Sequence, residues 1–328
     1  MKKIVAMMLC ACMMLGLVGC GGGDTAADNK VVIYSSGEEF RNEYFLGRLK
    51  EQFPEYNITI QYLPTGNNAS KLKSEGDQTE ADIVLLLESG YMESISDMLE
   101  DLSAYDTSGY LPELVDPEHK YMVFDRESSA IIVNPKVLKD KGLPVPKSYQ
   151  DLLDPQYKGL ISMPNPKSSG TGYTYLLSLA NTMGQEQALS YFDKLSENVL
   201  QFTSSGSGPV NALVQGEAAI GLGMTFQAVQ EINKGAELEI HYFDEGAPYS
   251  TYSVAAVKGK LEEPAVKEVF DFFVNTLIME DKQKFAPEQI YKDQDTTIEN
   301  YPTDIQYADM TGIDDLNKKE ELLSLWQH

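Results

Sequence analysis

Residues 81–87 read ADIVLLL, a seven-residue run that is apolar throughout but for Asp82. That length suits a strand and is short for a helix, and a strand without polar alternation is buried on both faces. A sheet holding such a strand needs helices on two sides, which predicts a mostly parallel α/β arrangement. The neighbouring segments agree. VVIYSS at 31–36 is a β-rich run, Phe40, Tyr44, Phe45, Leu49 and Phe53 recur at helical spacing up to Pro54, and NITIQYL at 57–63 alternates with period two.

The scheme then repeats. YMVFD (121–125) and SSAIIVNPKVL (128–138) read as strands leaving a first lobe. GLISMPN (159–165), VLQFTSS (199–205), EAAIGLG (217–223) and LEIHYFDE (238–245) read as strands of a second lobe. Leu189, Phe192 and Leu195 mark one amphipathic helix between them, and Val210, Leu213 and Val214 another. STYSVAAVKG (250–259) supplies a strand returning to the first lobe, and beyond Pro264 an apolar stripe runs through Val266, Val269, Phe270, Phe273 and Leu277. The acidic end forms a helix seating Leu316, Leu322, Leu323 and Trp326 on the body. A folded region of roughly 300 residues exceeds one ordinary core, so two lobes are expected, 31–132 with 250–328 and 133–249.

The first residues, MKKIVAMMLCACMMLGLVGC, have two lysines and then an apolar stretch from Ile4 to Val18, the pattern of a secretory signal. LVGC resembles a bacterial lipobox, which implies a signal at 1–19, cleavage before Cys20 and lipidation of the Cys20 thiol. The small polar stretch over 20–30 then serves as a tether. The expected location is outside the cell, anchored by lipid to the outer face of the cytoplasmic membrane. Cleavage removes Cys10 and Cys12, which leaves no thiol for a disulfide, a zinc site or nucleophilic chemistry. The net charge of −24 falls to −26 once Lys2 and Lys3 are lost. Nucleic acid as a partner is thereby disfavoured, since phosphate backbones are gripped by clustered basic surface.

Ser-Ser-Gly occurs three times, at 35–37, 168–170 and 204–206, each just after an apolar run. In open α/β sheets ligands gather at strand carboxyl ends, where loops lead into helix N-termini. Such ends present free N–H groups and partial positive charge, serine adds a donor, and glycine admits close approach. Ordinary helix capping also favours serine there. As an anion site the reading selects Ser36, Gly37, Ser169, Gly170, Thr171 and Gly172, with Ser128, Ser205, Ser207 and Thr225 as seconds. Glu245, Glu127 and Tyr249 stand as partners for an amine or sugar hydroxyls, and Arg126 either pairs with the anion or forms a salt bridge within its lobe.

SYQDLLDPQYKGLISMPNPKSSGTGYTYL (148–176), GEAAIGLGMTFQA (216–228) and EGAPYSTYSVAAVKG (245–259) closely resemble family 1 of the bacterial extracellular solute-binding proteins, the receptors of ABC importers. The resemblance implies a two-lobe periplasmic-binding-protein-like fold of type II, with hinge strands and closure on a ligand between the lobes. It implies a membrane permease with ATPase subunits as partner, a monomer, and no cofactor or resident metal. It looks nearest to receptors for ferric ion, 2-aminoethylphosphonate and sugar phosphates. Ferric receptors of this group offer a tyrosine pair where Thr225 and Phe226 stand here, which favours a phosphonate or phosphate ester, with ferric ion as the alternative. Receptors for cations also occur, and Glu38, Glu88, Glu245 and Tyr34 would serve one. An exported phosphate-ester hydrolase is the rival from another class. The three histidines, His119, His241 and His328, lie in no catalytic motif, and HExxH, GxSxG and a P-loop are absent.

Overall fold

The structure is a computed structural model that describes residues 29–328. The expected signal over 1–19, the lipidation site Cys20 and the tether up to residue 28 lie outside the described residues.

The chain begins β1 (Lys30–Ser35), α1 (Glu39–Gln52), β2 (Asn57–Tyr62), α2 (Thr65–Glu75), β3 (Ile83–Glu88) and α3 (Ser89–Glu93). β1 lies parallel to β2 on one side and to β3 on the other. Alternation along these strands divides their side chains between two cores, as the period of two requires. Val31, Ile33, Ile83 and Leu85 join Phe45 and Leu49 of α1 on one face. Val32, Tyr34, Val84 and Leu87 join Ala69 and Leu72 of α2 and Met92 of α3 on the other. Every residue of β3 is buried, as its uninterrupted apolar run predicts.

The chain then enters β4 (Met122–Val133), a single strand of 12 residues. α4 (Pro135–Asp140), β5 (Ile161–Pro164), α5 (Gly170–Met183), α6 (Gln185–Ser196), β6 (Val199–Thr203), α7 (Gly208–Val214), β7 (Ile220–Met224), α8 (Thr225–Asn233) and β8 (Glu239–His241) follow. β9 (Tyr249–Ala256), α9 (Pro264–Phe272), α10 (Ile278–Lys284) and α11 (Leu316–Leu325) complete the order. The strands run β2-β1-β3-β9-β4-β7-β5-β6, with β8 also paired to β4. Each half is mixed: β1, β2 and β3 are parallel, as are β5, β6 and β7, whereas β4 and β9 run against their neighbours.

The fold is the expected two-lobe α/β arrangement, and β4 is its hinge. Its residues from Met122 to Ser128 pair with β9, and those from Ser129 to Val133 pair with β7. YMVFD and SSAIIV are therefore halves of one strand, not two, and Pro135 to Leu138 are helical because Asn134 caps them by accepting from the Val137 N–H at 3.1 Å. In the second half of β4, Ile131 and Val133 join Leu176 of α5 and Phe192 of α6, while Ala130 and Ile132 join Val210 and Leu213 of α7.

The tail departs from its expected place. Ala308, Met310, Leu322 and Trp326 lie in the second core, where Trp326 meets the Phe192 ring edge-on at 5.5 Å, and not in the first lobe to which 250–328 was assigned. After α10 the chain crosses back, pairing Ala247 with Tyr307 on the way. An apolar stripe records that a helix docks and not which of two apolar surfaces receives it.

Candidate functional site

α5 starts where β5 ends. Ser169 caps it, its hydroxyl accepting from the Gly172 N–H at 3.4 Å. A Cβ at Gly172 would stand 2.6 Å from the Pro164 carbonyl oxygen and 2.8 Å from Asn165 and Pro166 backbone atoms, so only glycine lets the first turn sit this close to the strand end. Thr171 is buried with its hydroxyl against Gly206, in the turn between β6 and α7. Gly170 faces the first lobe: a Cβ there would lie 3.1 Å from Glu88 Oε2 at the end of β3. The electropositive end of a 14-residue helix from one lobe thus meets a carboxylate from the other.

Glu88 has a second partner. The Lys319 ammonium of α11 is 3.3 Å from its Oε2, and lies 4.5 Å from the Tyr91 ring centroid and 4.6 Å from that of Tyr173. Tyr91 belongs to α3 and Tyr173 to α5, so the ammonium is held between rings of both lobes.

Beneath this junction lies a buried charge cluster. Arg41 of α1 reaches Glu127 Oε1 at 2.5 Å, Asp125 Oδ2 at 2.7 Å and Asp281 Oδ2 at 2.9 Å, and Lys282 bonds Asp125. Three buried carboxyls face two cations, and partly exposed Glu38 also reaches Arg41 at 3.4 Å, so negative charge is in excess unless a carboxyl keeps its proton. Burial pushes Glu127 well above the usual carboxylate range, and Asp125 beside it adds to the rise. Burial also raises Asp281, up to about 6, against the pull of Arg41 and Lys282. For Asp125 burial works upward, yet Lys282 and Arg41 together hold it below its ordinary value. Burial and the adjoining Asp125 carboxylate thus both favour the protonated form of Glu127.

The remaining selected residues divide. Ser36 is half-buried at the end of β1, its hydroxyl accepting from Asn68 at 3.0 Å. Gly37 donates its N–H to Ser35 Oγ at 3.1 Å and its carbonyl accepts from Asn42 at 2.7 Å, so this turn is bonded mainly to itself. Ser205 and Ser207 bond each other at 2.9 Å on either side of Gly206, within the turn that touches Thr171.

Four more of the selected residues have partners within the protein. Ser128 and Thr225 are buried and bonded to each other at 2.8 Å, and Ser128 donates to Glu288 at 2.7 Å, so an internal carboxylate takes the hydroxyl meant for a solute. Glu245 is an electrostatic neighbour of Tyr149 and Tyr191, which pack in the second core. Tyr249 packs its ring on Tyr307 at 5.0 Å and beside Arg126 at 5.8 Å. Among the described residues Arg126 makes no salt bridge, contrary to one of its two readings. Lys319, Tyr91, Arg41 and Glu288 were not selected from sequence; each acts through contacts with segments far along the chain, and no local pattern marks them.

Among the described residues no cluster of three or more His, Cys, Asp or Glu side chains is placed to hold a metal ion, and no helix is long and apolar enough to cross a membrane.

Residues 85–310 match the family model of the bacterial extracellular solute-binding proteins, and the chain belongs to that family. An uncharacterized protein of Haemophilus influenzae is 34% identical over 162 residues, 48% of this chain and 46% of that protein. A putative 2-aminoethylphosphonate-binding periplasmic protein of Salmonella typhimurium is 23% identical over 227 residues, 66% of this chain. The chain thus spans about half the length of the first of these relatives and 65% of the second. Among solved structures, the periplasmic binding protein AfuA of Actinobacillus pleuropneumoniae with fructose-6-phosphate superposes with a TM-score of 0.80 at 23% identity, over 90% of this chain and 97% of that one. Iron-bound HitA of Pseudomonas aeruginosa gives 0.75 at 19% identity over the same shares. These likenesses establish the periplasmic-binding-protein fold.

Proposed function

We propose that the protein is the substrate-binding receptor of an ABC importer, exported and held at the membrane by a lipid on Cys20. It captures a small solute carrying a phosphonate or phosphate-ester group and delivers it to a permease. One observation carries the ligand class: the α5 N-terminus, with Ser169, Gly170 and Thr171, faces Glu88 of the other lobe, whose Oε2 would lie 3.1 Å from a Cβ at Gly170. Helix N–H groups and hydroxyls suit an oxyanion without a lysine or arginine, and the facing carboxylate suits an amine or sugar hydroxyls on the same molecule. The relative named for 2-aminoethylphosphonate and the fold neighbour with a bound sugar phosphate support this class. Because each lobe holds half of the contacts, only closure completes them, and the solute shifts the population toward the closed state.

The second reading is ferric ion, favoured by the carboxylates of Glu38 at the start of α1 and Glu88 at the end of β3 and by the iron-bound fold neighbour. Calorimetry on the mature protein separates the two. Saturable one-to-one binding of 2-aminoethylphosphonate or a hexose phosphate supports the first reading; binding of ferric citrate with no response to either phosphorus compound refutes it. Turnover of the phosphate ester in the same cell would mark an enzyme instead.

A further inference from the structure

The chain contains three arginines, Arg41, Arg48 and Arg126, and two of them are buried in opposite surroundings. Arg41 is enclosed by carboxylates. Arg126 is 6% exposed and, among the described residues, pairs with none. Its Nη2 donates to the Gln289 carbonyl, its Nε is buried without a partner, and its Nη1 donates to nothing. What compensates the charge is aromatic: the guanidinium lies 4.1 Å from the Tyr307 ring centroid and 5.8 Å from that of Tyr249. A guanidinium cannot shed its proton, and stacking on a ring offsets only part of its desolvation penalty.

This cation borders a pocket of about 330 Å³ between β4 and the crossover segment, whose wall includes Thr297, Thr303, Ile298 and Tyr301. The volume lies at the lower end of small-molecule sites. Among the described residues the hydroxyls of Thr297 and Thr303 have no hydrogen-bond partner, which leaves them available to donate. Glu288 and Asp295 share the wall. Glu288 is saturated, accepting from the Ser128 N–H and hydroxyl and from Tyr301 and Tyr307. Successive strand residues point to opposite faces, so Arg126 projects away from the side on which Glu127 meets Arg41.

We propose that this hinge pocket is a second ligand site, which takes a small organic monocarboxylate on Arg126 with the threonine hydroxyls as further donors. One unpaired cation matches one negative charge, while the neighbouring carboxylates repel a phosphate dianion. The site is independent of the solute assigned to the gap between the lobes.

Three arginines give three side-chain Nε–H resonances, so arginine-selective ¹H–¹⁵N NMR on the full mature protein reads the site directly. Acetate is the probe and inorganic phosphate at equal ionic strength the comparison; Arg126→Lys assigns the Arg126 resonance. The expected result is a saturable shift of that resonance with acetate while Arg48 stays still, a several-fold weaker response to phosphate, and a several-fold loss of acetate affinity in Thr303→Val. An Arg126 resonance that moves no more than that of Arg48, or drifts linearly without saturating, overturns the site. Tighter binding of phosphate than of acetate overturns the ligand class. Should Arg126→Lys not fold, the resonance perturbed by Tyr307→Leu supplies the assignment.

Discussion

The Lys319 ammonium stands 3.3 Å from Glu88 Oε2 and joins a helix seated on the second core to the end of a strand in the first. The contact bridges the two lobes, so in the proposed closure it forms as they meet. Removing one member of a buried pair leaves the other charge uncompensated, at a cost of about 3 kcal/mol.

Lys319→Met should therefore open the ligand-free protein and raise the Kd for its solute by roughly tenfold or more. Small-angle scattering checks this without any ligand. Superimposable profiles of variant and parent would show that the pair does not govern closure.

Thr171→Trp should abolish solute binding with the fold intact, since the Thr171 hydroxyl lies between the α5 start and the Gly206 turn. Calorimetry reads the loss and far-ultraviolet circular dichroism the fold. An unchanged affinity would remove the α5 end from the site.

Gly172→Ala places a methyl against backbone atoms at 2.6 and 2.8 Å, which cannot rotate away. The helix must shift off the strand end, costing about 1–3 kcal/mol by overpacking. Urea denaturation gives the value; a change below a few tenths would mean that the loop yields freely.

Glu127→Gln tests the held proton. The native pKa of Glu127 lies above its unfolded value, so above about pH 4.3 the folded protein keeps a proton that the unfolded chain has released. Stability from this group is full below that pH and falls as pH rises, by up to about 1.4 kcal/mol per unit, until the native pKa is passed. The amide imitates the protonated acid and cannot titrate. The variant should match the parent near pH 4 and gain on it steadily toward neutral pH. Parallel stability curves for the two proteins would show that Glu127 is ionised in the native state.

Much of the fold was legible because alternation and apolar runs record burial locally. ADIVLLL is buried at every position of β3, and Val31 to Tyr34 divide between two cores in strict alternation. Ser169 was legible as a cap at the start of α5. The hinge strand was not, because Asp125, Arg126 and Glu127 interrupt the apolar pattern and look like a solvated turn. Their burial depends on Arg41 and Lys282, which lie far away in the chain. Glu288 and Lys319 were hidden for the same reason: a carboxylate in a loop and a lysine in a charged helix become buried only through partners that the local sequence does not announce. Ser128 and Thr225 mislead in reverse, since a hydroxyl at a strand end looks available until its carboxylate is found.

β4 passes from one sheet into the other with no unpaired residue between Ser128 and Ser129. Its pivot is thus a leaf spring, not a swivel: motion of the jaws has to be absorbed as twist spread along bonded backbone. Such a joint limits the gape and returns elastically, and any substitution that stiffens or softens either sheet near the crossing should alter how readily the other half lets go of its cargo.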